Sequence, residues 1–316
     1  MNLASARILG AGGSSLAALH LDLLRIYGAC TASVSYRGAQ RFAWSIGEIF
    51  SKDDTAILEI FGNKKIIVLL RDGYWIKLIY RKFQYEPEIA YVLKKILTPH
   101  SLFLDCGANI GYWSIFASTI IRDPEQIVAV EPSERTFTQL AKNSEINKGA
   151  FSAIRAAIYS DADTRLTLTT HDKRHAGDSV VDERGTGRWK SGYAQEIVET
   201  ITVDRIVASQ SGSSRDVVVI KLDIEGAEIA ALGGAAQAIE DGAVFLYEDH
   251  QPERDHSTTR FVFDTLGLDV FLPLDDAVVR INNVEELTRI RERHPTIKNF
   301  LAARKGVKIP ILAQAD

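Results

Sequence analysis

The sequence predicts an α/β fold: a doubly wound, mainly parallel sheet preceded by a helix and a small antiparallel β-meander. Three observations lead there. From residue 86 onward, short apolar runs such as SLFLDCG, IVAVEP and VVVIKLD alternate with stretches of helical period, as strands buried on both faces by helices require. Residues 55–82 instead carry β-rich runs separated by turn dipeptides. The 316 residues, 46% hydrophobic and 25% charged, are enough to bury a core of domain size.

Taken in order, residues 14–27 set Leu16, Leu19, Leu23 and Ile26 about one helical turn apart, which predicts an amphipathic helix packed through that face. TAILEIF, KKIIVLL and YWIKLIYR follow as three strands, with Gly62-Asn63 and Asp72-Gly73 as hairpin signals. EPEIAYVLKKIL is a helix with Pro87 in its first turn. The strand SLFLDCG comes next, then a helix from Gly111, the strand IVAVEP, the helix TFTQLAKNSEIN and the strand AIRAAIYS. RLTLTT and ETITVDRIV form a pair of runs around residues 171–195, a polar, glycine-dotted stretch that reads as one long loop. The strands of VVVIKLDIEG and AVFLYEDH, the runs GLDVFLPL and AVVRIN, a helix NVEELTRIRERH and a final run IKNFLAAR complete the chain. The division expected is 1–85, a helical segment and meander acting as cap or dimerisation extension, and 86–316, the α/β domain.

Several classes are disfavoured. A net charge of −4 does not suit a phosphate-backbone binder, so nucleic acid is not an expected partner. Two cysteines, Cys30 and Cys106, make neither a disulfide framework nor a zinc site, which fits a reducing cytoplasm. His20, Asp22 and Arg25 interrupt the most apolar N-terminal stretch, so no transmembrane helix is expected. The extra apolar helix makes a homodimer an expectation.

In an open parallel sheet, ligands bind outside the carboxyl ends of the strands. Those ends are repeatedly acidic here: Asp105, Glu131, Asp223 and Glu248. The loop Asp105-Cys106-Gly107-Ala108-Asn109-Ile110-Gly111 carries two glycines that permit close approach of a ligand to backbone. Glu131 and Pro132 follow about 20 residues on, the interval at which a carboxylate meets ribose hydroxyls. The loop lacks a third glycine and a phosphate-cradling lysine, and an acid at Asp105 repels pyrophosphate but attracts an ammonium or sulfonium. S-adenosylmethionine carries both cations and no phosphate.

DCGANIG, VEP, TVD and IKLDIEGAE, in that order, resemble the motifs of the FkbM family of methyltransferases over roughly residues 85–275, with Tyr85-Glu86-Pro87, Gly233, Gly234 and Glu248 also similar. The resemblance implies a class I methyltransferase fold of seven strands with the last antiparallel, and O-methylation of a hydroxyl on a sugar, glycan or natural product. It places Asp105, Gly107, Asn109 and Gly111 at the methionine part of the cofactor, Glu131 at the ribose and Ala157 near adenine. Cys106 stands where the family more often has a β-branched or apolar residue.

For chemistry, Lys221 and Asp223 alternate onto one strand face and Glu225 begins the next turn. Asp223 and Glu225 are expected to orient the acceptor or, together with Glu248 or Asp249, to hold a divalent cation, Mg²⁺ or Ca²⁺ rather than zinc. His250 is the candidate general base. Glu228, Thr202 and Asp204 read as helix-end groups, Cys106 as a buried filler, and Asp275-Asp276 as a turn. Tyr74, Trp75, Tyr80, Phe83, Tyr85, Trp189 and Tyr193 could stack on sugar rings, although aromatics in a meander are more often core. Two other readings compete: an NAD(P)-dependent oxidoreductase built on Gly10 and Gly12 of ILGAGGSS, and a non-catalytic module that keeps the fold.

Overall fold

The computed structural model describes residues 7–31, 38–80, 85–171, 180–182, 193–210, 215–249, 256–294, 297–307 and 311–312. The chain opens with β1 (Arg7–Gly12), α1 (Ala17–Thr31), α2 (Ala39–Ile49), β2 (Thr55–Ile60), β3 (Lys64–Leu69) and α3 (Lys77–Tyr80). The meander thus differs from expectation in its third strand. YWIKLIYR forms a turn and α3, because Asp72 accepts hydrogen bonds from the Tyr74 and Trp75 amides and turns the chain. Trp75, Ile76, Leu78 and Ile79 are then all buried, a spacing that suits a helix and not a strand with one wet face. The place beside β2 is filled by β1, which pairs antiparallel with it. Gly10 and Gly12 therefore lie in an antiparallel ribbon, and the Ser14 amide is spent on Asp54 (2.8 Å), so the dinucleotide fingerprint has no parallel crossover to serve.

Helix α1 buries Ala17, His20, Leu21, Leu24 and Gly28, whereas Leu16, Leu19 and Ile26 are exposed. This is not the face the spacing suggests. His20 explains the rotation: its ring stacks on Phe50 and its Nδ1 lies 3.3 Å from Asp54 Oδ2, both groups fully buried. A buried polar pair can be satisfied in one orientation only, and it overrides an apolar stripe that solvent tolerates.

The remainder comprises α4 (Pro87–Ile96), β4 (Leu102–Cys106), α5 (Tyr112–Ala117), β5 (Ile127–Val130), α6 (Glu134–Ile146), β6 (Ser152–Ile154), β7 (Ala157–Ile158), β8 (Arg165–His171), β9 (Val180–Asp182), β10 (Tyr193–Ile201), α7 (Val203–Ser209), β11 (Val218–Leu222), α8 (Glu228–Gly233), α9 (Ala236–Glu240), β12 (Val244–Glu248), α10 (Ser257–Arg260), β13 (Asp269–Pro273), β14 (Val278–Ile281), α11 (Val284–Arg293) and β15 (Asn299–Ala303). One sheet runs β14-β13-β15-β12-β11-β4-β5-β6. Strands β6, β5, β4, β11 and β12 are parallel, and β15 is inserted antiparallel between β12 and β13. Seven of these strands make the expected sheet, with the last in the chain, β15, antiparallel. An eighth, β14, extends the edge through the turn at Asp275-Asp276.

AIRAAIYS is divided: β6 ends at Ile154, and β7 joins a separate sheet of order β7-β10-β8-β9. The stretch read as one loop over 171–195 contributes β9 and the start of β10 to that sheet, because alternating Thr and apolar residues of β8 need a partner edge. Central strands such as β4, β5 and β12 are buried throughout, with the two face cores on either side.

The segments 1–85 and 86–316 share one core: Leu24, Leu58 and Ile66 pack in the same cluster as Phe103, Ile115 and Phe116. Polar side chains of α6 close the free edge of β3. The Ile67 amide donates to Asn143 Oδ1 (2.7 Å) and the Lys65 amide to Asn147 Oδ1 (2.9 Å), while Asn147 Nδ2 and Gln139 Nε2 donate to the Lys65 and Ile67 carbonyls. Among the described residues no helix is long and apolar enough to cross a membrane.

Candidate active site

At the carboxyl ends of β4, β5, β11 and β12 lies a cleft of about 300 Å³. Its floor is the loop after β4. The Gly107 and Ala108 amides donate to the Val130 carbonyl at 2.9 and 3.0 Å, tying the loop to β5. Gly107 adopts φ 75°, and a Cβ there would sit 1.9 Å from the Asp223 carbonyl oxygen. The glycine is thus required by the neighbouring strand end, a stronger demand than the ligand approach inferred from the motif. Gly111, at φ 90°, starts α5 and would collide with Leu140 and Phe151, so it packs behind the cleft and does not line it.

Glu131 is the best-organised carboxylate. Its Oε2 accepts from the Asn109 amide (3.0 Å) and its Oε1 from the Ser133 amide (3.1 Å). Burial pushes its carboxyl up to about 7 against the pull of these two hydrogen bonds. Pro132, Ala156, Ala157, Ile158 and Leu168 form an apolar wall beside it. Leu168 comes from β8, so the second sheet completes this end of the cleft.

The other end is ionic. Lys221 Nζ contacts Asp223 Oδ2 at 2.9 Å and lies 4.0 Å from Asp105 Oδ1. Lys298 Nζ bridges Glu86 Oε1 (3.0 Å) and Glu248 Oε2 (3.2 Å). Burial works to raise the Asp223 carboxyl, but the ammonium groups of Lys221 and Lys298 outweigh it and hold the group well below the ordinary range. Glu248 moves the opposite way, raised by burial and by the charge of Asp223, to which it is hydrogen-bonded. Two adjacent carboxyls cannot both ionise cheaply, so the pair retains a proton.

Most of the expected site residues meet here: Gly107, Ala108, Asn109, Glu131, Pro132, Ala157, Lys221, Asp223, Glu225 and Glu248 all line the cleft. Asp105 lies beneath it, buried, with Ser114 donating to Oδ2 (2.7 Å) and Oδ1 lacking a hydrogen-bond partner among the described residues. Asp249 is the clear departure from the sequence reading. Alternation along β12 turns it away from Glu248, toward the Thr259 amide and hydroxyl and toward Arg291. Asp223, Glu248 and Asp249 therefore form no common ligand set, and among the described residues no three such groups gather to hold a metal ion. His250, Phe83 and Trp189 lie outside the described residues.

Glu228 accepts from the Ile224 and Gly226 amides, bracing the loop in which Glu225 takes φ 54°. Thr202 caps α7 (Arg205 amide, 3.1 Å), while Asp204 caps α9 through the Gln237 and Ala238 amides. Lys298 was missed by sequence reasoning. The available signal was topological: an antiparallel strand begins at the edge where its parallel neighbours end, which brings the residue before β15 to the cleft. Tyr74, Trp75, Tyr85, Tyr112 and Trp113 line it as well, so these aromatics serve core and cleft together.

The domain described as "Methyltransferase FkbM domain" matches residues 105–277. Hexuronic acid methyltransferase AglP of Haloferax volcanii is 25% identical over 175 residues, which span 54% of this chain and 64% of that protein. Among solved structures, methyltransferase FkbM from Methylobacillus flagellatus aligns with 14% identity and a TM-score of 0.42, covering 71% of this chain and 49% of that one. A SAM-dependent O-methyltransferase from Thermotoga maritima aligns with 10% identity and a TM-score of 0.36, covering 78% and 77%. The matched domain spans more than half of the 316 residues and contains the loop after β4, Glu131, Asp223 and Glu248; the chain belongs to the FkbM methyltransferase family.

Proposed function

We propose that this protein transfers a methyl group from S-adenosylmethionine to a hydroxyl of a sugar or glycan. One observation carries the reading: a single cleft joins a main-chain-anchored ribose-type carboxylate, Glu131, to a buried cluster in which four carboxylates outnumber two lysines. Those groups are Glu86, Asp105, Asp223 and Glu248 against Lys221 and Lys298. Even with the proton that Asp223 and Glu248 share, the carboxylates outnumber the lysines, which suits a cationic ligand, and Asp105 Oδ1, without a hydrogen-bond partner among the described residues and 4.0 Å from Lys221 Nζ, is an acceptor that a further ammonium fits. The residues present therefore fit this cofactor. The sugar-acid methylation named for the Haloferax relative supports a carbohydrate acceptor.

When bound, the cofactor supplies an electrophilic methyl on sulfur, open to in-line displacement. Glu131 would hold the ribose hydroxyls with its remaining lone pairs, and Pro132, Ala156, Ala157, Ile158 and Leu168, which line the cleft beside it, would exclude water from the adenine side. Asp223, kept ionised by Lys221, accepts the hydrogen bond of the acceptor hydroxyl and aims its lone pair. As the C–O bond formed and the C–S bond broke, with the neutral thioether leaving, the hydroxyl proton would become acidic enough for the Asp223 carboxylate to take. Tyr74 and Tyr85 provide flat apolar surface for a sugar face.

Isothermal titration with S-adenosylhomocysteine, followed by a screen of glycosides for homocysteine-coupled turnover, tests this. Saturable binding and turnover with a hydroxylated sugar are expected. A chain that takes up no S-adenosylhomocysteine would sink the proposal.

A further inference from the structure

Trp75 belongs to the N-terminal segment, outside residues 105–277 of the family domain. It is 3% exposed, yet its indole edge reaches the cofactor loop: Nε1 donates to Asn109 Oδ1 at 3.0 Å. The same Oδ1 accepts from the Ile110 amide (2.9 Å), and the Asn109 amide donates to Glu131 Oε2 (3.0 Å). Asn109 takes φ 51°, a left-handed conformation in which a non-glycine residue must be held by its surroundings. Trp75 is itself fixed by Asp72, which accepts from its amide, and by Tyr112, whose ring stacks on it at 5.7 Å with a 26° tilt. A continuous path thus runs from the turn after β3 to the ribose-type carboxylate.

We infer that Trp75 is a positioning residue of the cofactor site, acting through Asn109 on Glu131, and that the N-terminal segment is a working part of that site. A detachable cap would leave the loop after β4 self-sufficient. Here the Asn109 side chain spends an acceptor lone pair on the N-terminal segment instead. The functional consequence rests on the methyltransferase reading above; the structural coupling does not.

A double-mutant cycle tests the path. Trp75→Phe keeps an aromatic ring and removes the donor, while Asn109→Gly removes the acceptor and keeps the left-handed backbone. Each single variant is expected to weaken S-adenosylhomocysteine about three- to tenfold, the loss of one neutral hydrogen bond, with the double variant no weaker than the weaker single. Free adenosine should show the same pattern, since Glu131 lies on the path. Losses that multiply in the double variant, or wild-type affinity in Trp75→Phe, overturn the inference. Amide hydrogen exchange of the ligand-free chain gives a second measurement. Trp75→Phe should speed exchange at Asn109 and Ile110 several-fold while leaving β12 unchanged, and unchanged exchange at those two amides also overturns it. Faster exchange in a chain whose wild type takes up no S-adenosylhomocysteine would retain the coupling and reject only the cofactor reading.

Discussion

The two ends of the cleft are built by different physics. At the Glu131 end the geometry comes from main chain: amides of Asn109 and Ser133 fix the carboxylate, and the Val130 carbonyl fixes the loop. At the Asp223 end it comes from side chains, with Lys221 and Lys298 suspended among carboxylates from four separate parts of the chain. Main-chain anchoring is local and short in sequence. Ionic anchoring exists only once the strands are assembled. The first arrangement suits a ligand whose shape is constant, and the second suits the placement of charge at a reacting atom.

If that division holds, substitutions at the two ends should affect different quantities, and the largest effect is expected at the ionic end. Asp223→Asn keeps the volume and removes the proposed proton acceptor, so turnover with an accepted glycoside should fall by about a hundredfold or more while S-adenosylhomocysteine affinity stays near wild type. Equal losses in both would erase the distinction. Next comes Glu131→Ala, for which calorimetry should show cofactor affinity reduced about ten- to a hundredfold, as expected for losing hydrogen bonds to a charged group. Turnover at saturating cofactor should change far less.

Gly107 joins the two ends, because the space its missing Cβ leaves is filled by the Asp223 carbonyl. Gly107→Ala should therefore cost about 1–3 kcal/mol of stability through overpacking and a disfavoured φ. A thermal melt indistinguishable from wild type would show that the strand ends yield more easily than their spacing suggests.

The smallest effect is a pH dependence. The Glu131 carboxyl is raised from 4.5 to about 7 in the folded chain, so between those values the folded state binds more protons than the unfolded one. This group's contribution to stability is full below pH 4.5 and is lost as pH rises through 7. On the role proposed for Glu131, cofactor affinity runs the other way, since ribose hydroxyls would donate to the ionised form. Calorimetry from pH 6 to 8 should show affinity rising about tenfold, and Glu131→Gln should flatten the curve. A flat wild-type curve would mean that Glu131 is already ionised before the ligand arrives.

Much of the Glu131 end was legible because its parts are close in sequence. DCGANIG and VEP each place loop, glycine and carboxylate within a few residues, and their 24-residue separation (131 − 107) is one helix and one strand crossover. The Asp223 end was legible only in part. Lys221, Asp223 and Glu248 stand at strand ends that apolar runs announce, but Glu86 and Lys298 meet them from remote segments. Asp249 shows the opposite failure: adjacency to Glu248 suggested a shared role that strand alternation forbids.

By itself, the sequence determined the alternating strand and helix pattern, the acidic strand ends and the loop chemistry, because hydrophobic period and φ-permissive residues act over a few positions. Tertiary structure alone decided which face of α1 is buried, since that depends on Asp54 meeting His20 across 34 residues. It also decided that β1, and not YWIKLIYR, completes the small sheet, and that Trp75 reaches Asn109. Each of these is a choice between locally acceptable alternatives, and only the requirement that buried polar groups find partners separates them.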